Sequence, residues 1–174
     1  MGEAKRRKAE QAAASTPPAP ASTAGAEPKP SATPAVVPGK SCGSCTTCCT
    51  VMGVPELKKR PWDPCPHVMA GVGCGIYTER PSGCRAFICG WLLDPSMGPD
   101  LKPENCHVVF YQRGDQHIVA TCDAAYPDAW RAPNVVDFLH RLAKANAPRR
   151  KVILMEKSRI WFVTENAIVP AETG

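Results

Sequence analysis

An α+β fold is expected from this sequence: a small cysteine-rich module packed with a ββαββ antiparallel-sheet unit, preceded by a disordered tail. Three observations predict it. Eight of the ten cysteines fall within residues 42–89. From residue 106 onward, two pairs of β-rich runs flank one run of apolar residues at helical spacing. Residues 1–40 hold almost nothing that a core could use. The expected boundaries are therefore 1–40 for an Ala/Pro-rich tail, 41–95 for the cysteine module and 96–174 for the α+β unit.

The first 15 residues could form a short charged helix, since Ala and Lys are good helix formers, but it would have no apolar face to bury. Seven prolines between Thr16 and Lys40 remove backbone donors and make a flexible or polyproline-like linker. From Ser41 to about residue 95, Gly and Pro recur every few positions, so only short helices and turns fit. Such a segment buries little apolar surface, and metal bound by several thiolates would supply on the order of 10 kcal/mol of folding free energy.

The run HVVFYQRGDQHIVATC, residues 107–122, reads as two strands around a Gly-containing turn, and that turn accounts for its RGD triplet. NVVDFLHRLAKAN follows Pro133, with Asn134 as the expected cap and Val135, Phe138, Leu139 and Leu142 on one helical face. KVILMEKSRIWFVTE supplies two more strands around Lys157 and Ser158.

Charge and termini narrow the function classes. The formal net charge is +5, of which residues 1–40 carry +3 (six bases against three acids). The short basic runs KRRK at 5–8 and RRK at 149–151 are a weak nucleic-acid footprint, so nucleic acid is disfavoured as a partner. Neither a signal-peptide h-region nor a membrane span is legible, which gives a cytoplasmic protein without a membrane partner as the expectation. In that reducing setting, clustered cysteines are metal ligands or redox groups more often than disulfides.

The stretch SCGSCTTCC, residues 41–49, sets the chemistry. Zinc and iron sites want soft thiolate or imidazole ligands at tetrahedral corners, and a C-x2-C turn brings two sulfurs to one ion. Cys42, Cys45 and Cys48 make two such steps, as at the start of iron–sulfur runs. Adjacent Cys48 and Cys49 are expected to point apart, serving different ions, or with one packing. Further ligands come from Cys65, Cys74, Cys84 and Cys89, with His67 a weaker candidate. These eight cysteines could fill two four-ligand sites, or one site or cluster with thiols to spare. Lys58, Lys59 and Arg60 read as surface charge, whereas Arg80 and Arg85 flank the ligands and suit charge balance.

CGSCTTCC at 42–49 followed by PCPHVMAGVGCGIYTERPSGCRAFIC at 64–89 resembles the CxxCxxCC cysteine-cluster proteins, the YkgJ-like zinc- or iron-chelating domain. The resemblance covers about fifty residues and leaves the tail and the second half of the chain unaccounted for. It implies metal binding, with Cys45, Cys48, Cys49, Cys65, Cys74 and Cys84 on the core pattern and Cys42 and Cys89 as common extensions. Tyr77, Arg80 and Pro81 match its IY..RP element, which would fold the loop. Flagellin lysine N-methylases among such relatives are thought to carry an iron–sulfur cluster. This chain is short for a methylase and shows no glycine-rich nucleotide loop.

The expectation is a metal-binding protein that holds zinc or iron, including an iron–sulfur cluster, rather than an enzyme. Two alternatives stand beside it: an iron–sulfur or thiol-dependent enzyme of redox or methyl-transfer chemistry, and a zinc-stabilised interaction or nucleic-acid-binding module. The sequence names no protein partner. Cys106 and Cys122 are expected on the two strands of the first hairpin as buried small hydrophobes. His107, His117 and His140 have no partner residues nearby in sequence and are read as structural or exposed.

Overall fold

A computed structural model describes residues 35–171, so residues 1–34 of the expected 1–40 tail lie outside the described residues, while Val37 and Lys40 of its last part hydrogen-bond to Leu92, Asp94 and Met97. The cysteine segment is built from short pieces: helix α1 (Thr47–Val51), the two-stranded ribbon β1 (Val68–Met69) and β2 (Gly73–Cys74), and helices α2 (Ser82–Ala86) and α3 (Gly90–Leu93). Short helix α4 (Pro103–Cys106) leads into a five-stranded sheet. Its strands are β3 (Val108–Arg113), β4 (His117–Cys122), β5 (Lys151–Glu156), β6 (Arg159–Val163) and β7 (Ile168–Pro170), with helix α5 (Pro133–Asn146) between β4 and β5. The described residues belong to one compact unit. None of their helices is long and apolar enough to cross a membrane.

The sheet runs in chain order, β3-β4-β5-β6-β7, and it is mixed rather than antiparallel. β4 and β5 pair in parallel, His117 opposite Lys151 through Thr121 opposite Met155, while every other neighbouring pair is antiparallel. Helix α5 is the reason. It carries the chain from one end of β4 back to the other, and a strand that returns by such a crossover enters parallel to the one it left. β7 is an additional strand beyond those read from the sequence. It lies at the sheet edge, where Pro170, opposite Trp161, removes no needed ladder bond.

Proline at its first position preorganises α5, and Ala132 rather than Asn134 precedes it as the cap residue. Asn134 instead donates from Nδ2 to Asp100, at 3.3 Å to its carbonyl and 3.0 Å to Oδ2. Val135, Phe138, Leu139 and Ala143 are buried against Val108, Phe110, Ala120, Val152, Leu154 and Trp161 of the sheet. Phe138 meets Phe110 edge-on at 5.1 Å between centroids, and burying Leu139 alone is worth about 2 kcal/mol.

β3 is buried on both faces, which explains its unbroken run Val108-Val109-Phe110-Tyr111. Val108 and Phe110 face α5, whereas Val109 packs with Val51 and Cys89, and around them lie Met52, Trp62, Phe87, Leu92 and Tyr111. This second cluster fastens the cysteine segment to the sheet. Cys106 closes α4 instead of starting a strand. It and Cys122 on β4 are buried in the α5 core, each thiol pushed up by burial, to about 11 and about 12.

Candidate metal centre

All eight cysteines between residues 42 and 89 line one cavity of about 170 Å³. They arrive from six pieces of local structure. Cys42 and Cys45 bracket a turn closed by the Cys45 amide donating to the Cys42 carbonyl at 3.0 Å. Cys48 and Cys49 sit on α1, whose end is secured by the Met52 amide donating to the Cys48 carbonyl. Successive helical residues are about 100° apart rather than opposed, so both border the cavity, against the expectation that they would point apart. Cys65 lies in the loop before β1, and Cys74 lies on β2 opposite Val68. Cys84 lies on α2, and Cys89 is the residue preceding α3.

Two contacts lock these pieces together. Gly73 has φ +120°, a conformation that disfavours a side chain. A Cβ there would also stand 2.9 Å from the Gly43 carbonyl oxygen, so β2 rests directly on the Cys42–Cys45 turn. Glu56, on the 3-10 turn Pro55–Leu57, accepts from Ser82 Oγ at 2.8 Å and from the Gly83 amide at 2.9 Å, capping α2. These bonds hold the Glu56 carboxyl below the usual carboxylate range.

Among the described residues, the ionisable lining groups besides the thiols and the Tyr77 phenol are two cations, Lys59 and Arg80, and no carboxylate or imidazole takes part. Lys59 is only 7% exposed. Its Nζ donates to the carbonyls of Thr50 at 3.0 Å, Met52, and Arg60 at 3.2 Å. Burial lowers its pKa, opposed by the charges of Cys65, Asp63, Cys49 and Cys84. Arg80 donates from Nε to the Tyr77 carbonyl at 2.9 Å and lies over the Tyr77 ring at 3.8 Å.

The cations polarise the thiols unevenly. Cys49 is drawn down to about 7, first because the Cys48 thiol donates to it, then because Lys59 and Arg80 are near. Cys48 is correspondingly pushed up by that hydrogen bond and by burial. Burial raises Cys42 and Cys84 as well, and raises Cys89 to about 12.

Among the described residues, no group of three or more His, Cys, Asp or Glu side chains is drawn tightly enough together to hold an ion. The thiols ring the cavity without converging on one point. All ten cysteines are free. His67 does not line the cavity, and neither does Arg85, which is exposed on α2. Lys59, expected on the surface, is the residue that the sequence reading missed. Its signal is positional: the carbonyls that end α1 attract a cation, but nothing in Lys58-Lys59-Arg60 says which of the three turns inward.

A comparison with family models, with curated proteins and with solved structures finds no match to the chain.

Proposed function

We propose that this protein binds zinc or iron, the iron alone or as an iron–sulfur cluster, through Cys42, Cys45, Cys48, Cys49, Cys65, Cys74, Cys84 and Cys89. The supporting observation is the composition of the cavity wall: among the described residues, eight thiols from six segments, two cations, and no side-chain oxygen or imidazole donor apart from the Tyr77 phenol. A sulfur donor set selects zinc, copper(I) and iron–sulfur clusters over magnesium, calcium or manganese. It therefore fits the group that the CxxCxxCC resemblance implies. Metal would supply the cross-links that residues 41–95 lack, while β3, through Val109 and Tyr111, supplies the wall they fold against.

In this reading the thiols bind, Lys59 and Arg80 neutralise, and the Met52, Leu92 and Phe87 side chains keep water from part of the wall. The reading is of a chelating protein rather than an enzyme.

The test is anaerobic purification of the full chain, followed by zinc, iron and acid-labile sulfide per chain and the visible absorption spectrum. Tightly held zinc, or iron with sulfide and cluster absorbance, is expected, and Cys→Ser variants across the eight positions should lower it at those that ligate. A folded chain that holds none of these metals after reconstitution would refute the proposal.

A further inference from the structure

We infer that the cavity accepts one four-thiolate centre per chain, with net charge minus two, and that Lys59 and Arg80 are the cations that set this limit. The inference rests on reading the cavity as a metal site. It goes further in fixing the number of centres and in assigning roles to two residues outside the thiols.

Charge counting carries it. Four thiolates around a divalent ion leave minus two, and so do four around a four-iron cluster of core charge plus two. Two four-thiolate zinc sites in the same wall would leave minus four. Among the described residues, Lys59 and Arg80 are the only cations lining the cavity. Among the described residues neither forms an ion pair with a carboxylate, Lys59 being held by three carbonyls and Arg80 by the Tyr77 carbonyl and ring. Of the other cations near these cysteines, Lys58 and Arg85 are exposed to solvent and do not line the cavity, and three more have partners of their own. Lys102 pairs with Glu104 at 2.6 Å, Arg60 with Asp63 at 3.0 Å, and Lys40 donates to the Asp94 and Met97 carbonyls beneath the Trp91 ring. The two positive charges in the lining match one centre. A second would leave two negative charges without partners among thiols that, Cys89 apart, are half-buried, and charge withdrawn from water without a partner is disfavoured.

Lys59 has a further part as a positioning residue. Its ammonium binds the Thr50 and Met52 carbonyls where α1 ends, and α1 carries Cys48 and Cys49. The cation that balances the centre thereby also anchors the segment supplying two of the thiols.

The experiment loads the full chain anaerobically with zinc(II), or with ferrous iron and sulfide, and counts metal per chain. Zinc affinity is then measured by competition with a chromophoric chelator. One zinc, or four iron and four sulfide, is expected per wild-type chain. Arg80→Met and Lys59→Met should each weaken zinc by about 10–100-fold, and Arg80→Lys should recover most of that loss. Because Lys59→Met also strips partners from α1, Arg80→Met decides the matter should the Lys59 variant fail to fold. Two zinc ions per wild-type chain, or Arg80→Met with unchanged affinity, would overturn the inference while leaving the metal reading intact. A wild-type chain that binds no metal would instead remove the reading on which it rests.

Discussion

Replacing Gly73 by alanine should damage the cavity out of proportion to the size of one methyl group. Gly73 has φ +120°, and the new Cβ would lie 2.9 Å from the Gly43 carbonyl oxygen, a backbone atom that cannot swing aside. Gly71, two residues earlier in the same ribbon, provides the control: its φ is +72°, and a Cβ there would meet nothing within 4 Å. Gly71→Ala therefore carries backbone strain alone, about 1–2 kcal/mol. Gly73→Ala adds the displacement of the Cys42–Cys45 turn, and overpacking of this kind costs about 1–3 kcal/mol more. Since each 1.4 kcal/mol is tenfold, zinc affinity measured by chelator competition should fall roughly 5- to 100-fold further in Gly73→Ala than in Gly71→Ala. The sheet should be spared, with the two variants showing the same far-ultraviolet circular dichroism as wild type. Equal effects of the two substitutions, or a neutral Gly73→Ala, would refute the claim that β2 seats on the Cys42–Cys45 turn to shape the site.

Other consequences follow from the same geometry. In metal-free protein, alkylation by iodoacetamide should reach Cys49 first, rising through pH about 7 as its thiolate forms, while Cys89, pushed up to about 12, stays unmodified; peptide mass spectrometry reads both. Leu139→Ala should lower the urea-unfolding free energy by about 2–5 kcal/mol, because the residue is fully buried between α5 and the sheet. Cys106→Ala and Cys122→Ala should leave metal per chain unchanged, since both thiols lie in the α5 core outside the cavity. Glu56→Ala should expose Cys84 to faster thiol labelling by freeing α2. The folded Glu56 carboxyl is depressed, so its stabilisation is present above the unfolded carboxylate pKa and lost as pH falls through the lower folded value. The variant should show a flatter acid-unfolding curve there.

What the sequence discloses here follows physical range. The spacing of Val135, Phe138 and Leu139 and the turn after Arg113 are local signals, and α5, β3 and β4 stand where those residues put them. The parallel pairing of β4 with β5 is not local. It depends on where α5 deposits the chain, which no run of residues encodes. Cys106 reads as a strand residue by composition, yet Pro103 starts a helical turn that ends on it, with His107 in the left-handed region before β3 begins. At the site, the eight thiols stand out because cysteine is chemically distinctive, and all eight meet at one wall. Lys59 escapes because its burial is set by the carbonyls of Thr50 and Met52, groups every residue carries. His67 shows the converse: a good ligand type two residues from Cys65 that the ribbon turns away from the cavity, its carbonyl accepting from the Gly75 amide at 2.8 Å.

X-ray absorption at the zinc or iron edge of the anaerobically isolated full chain reports the donor atoms of the bound metal themselves. Metal held by these cysteines should show a first shell made of sulfur alone, at about 2.3 Å. A shell containing nitrogen or oxygen neighbours, or a chain with no metal edge at all, would contradict the proposal.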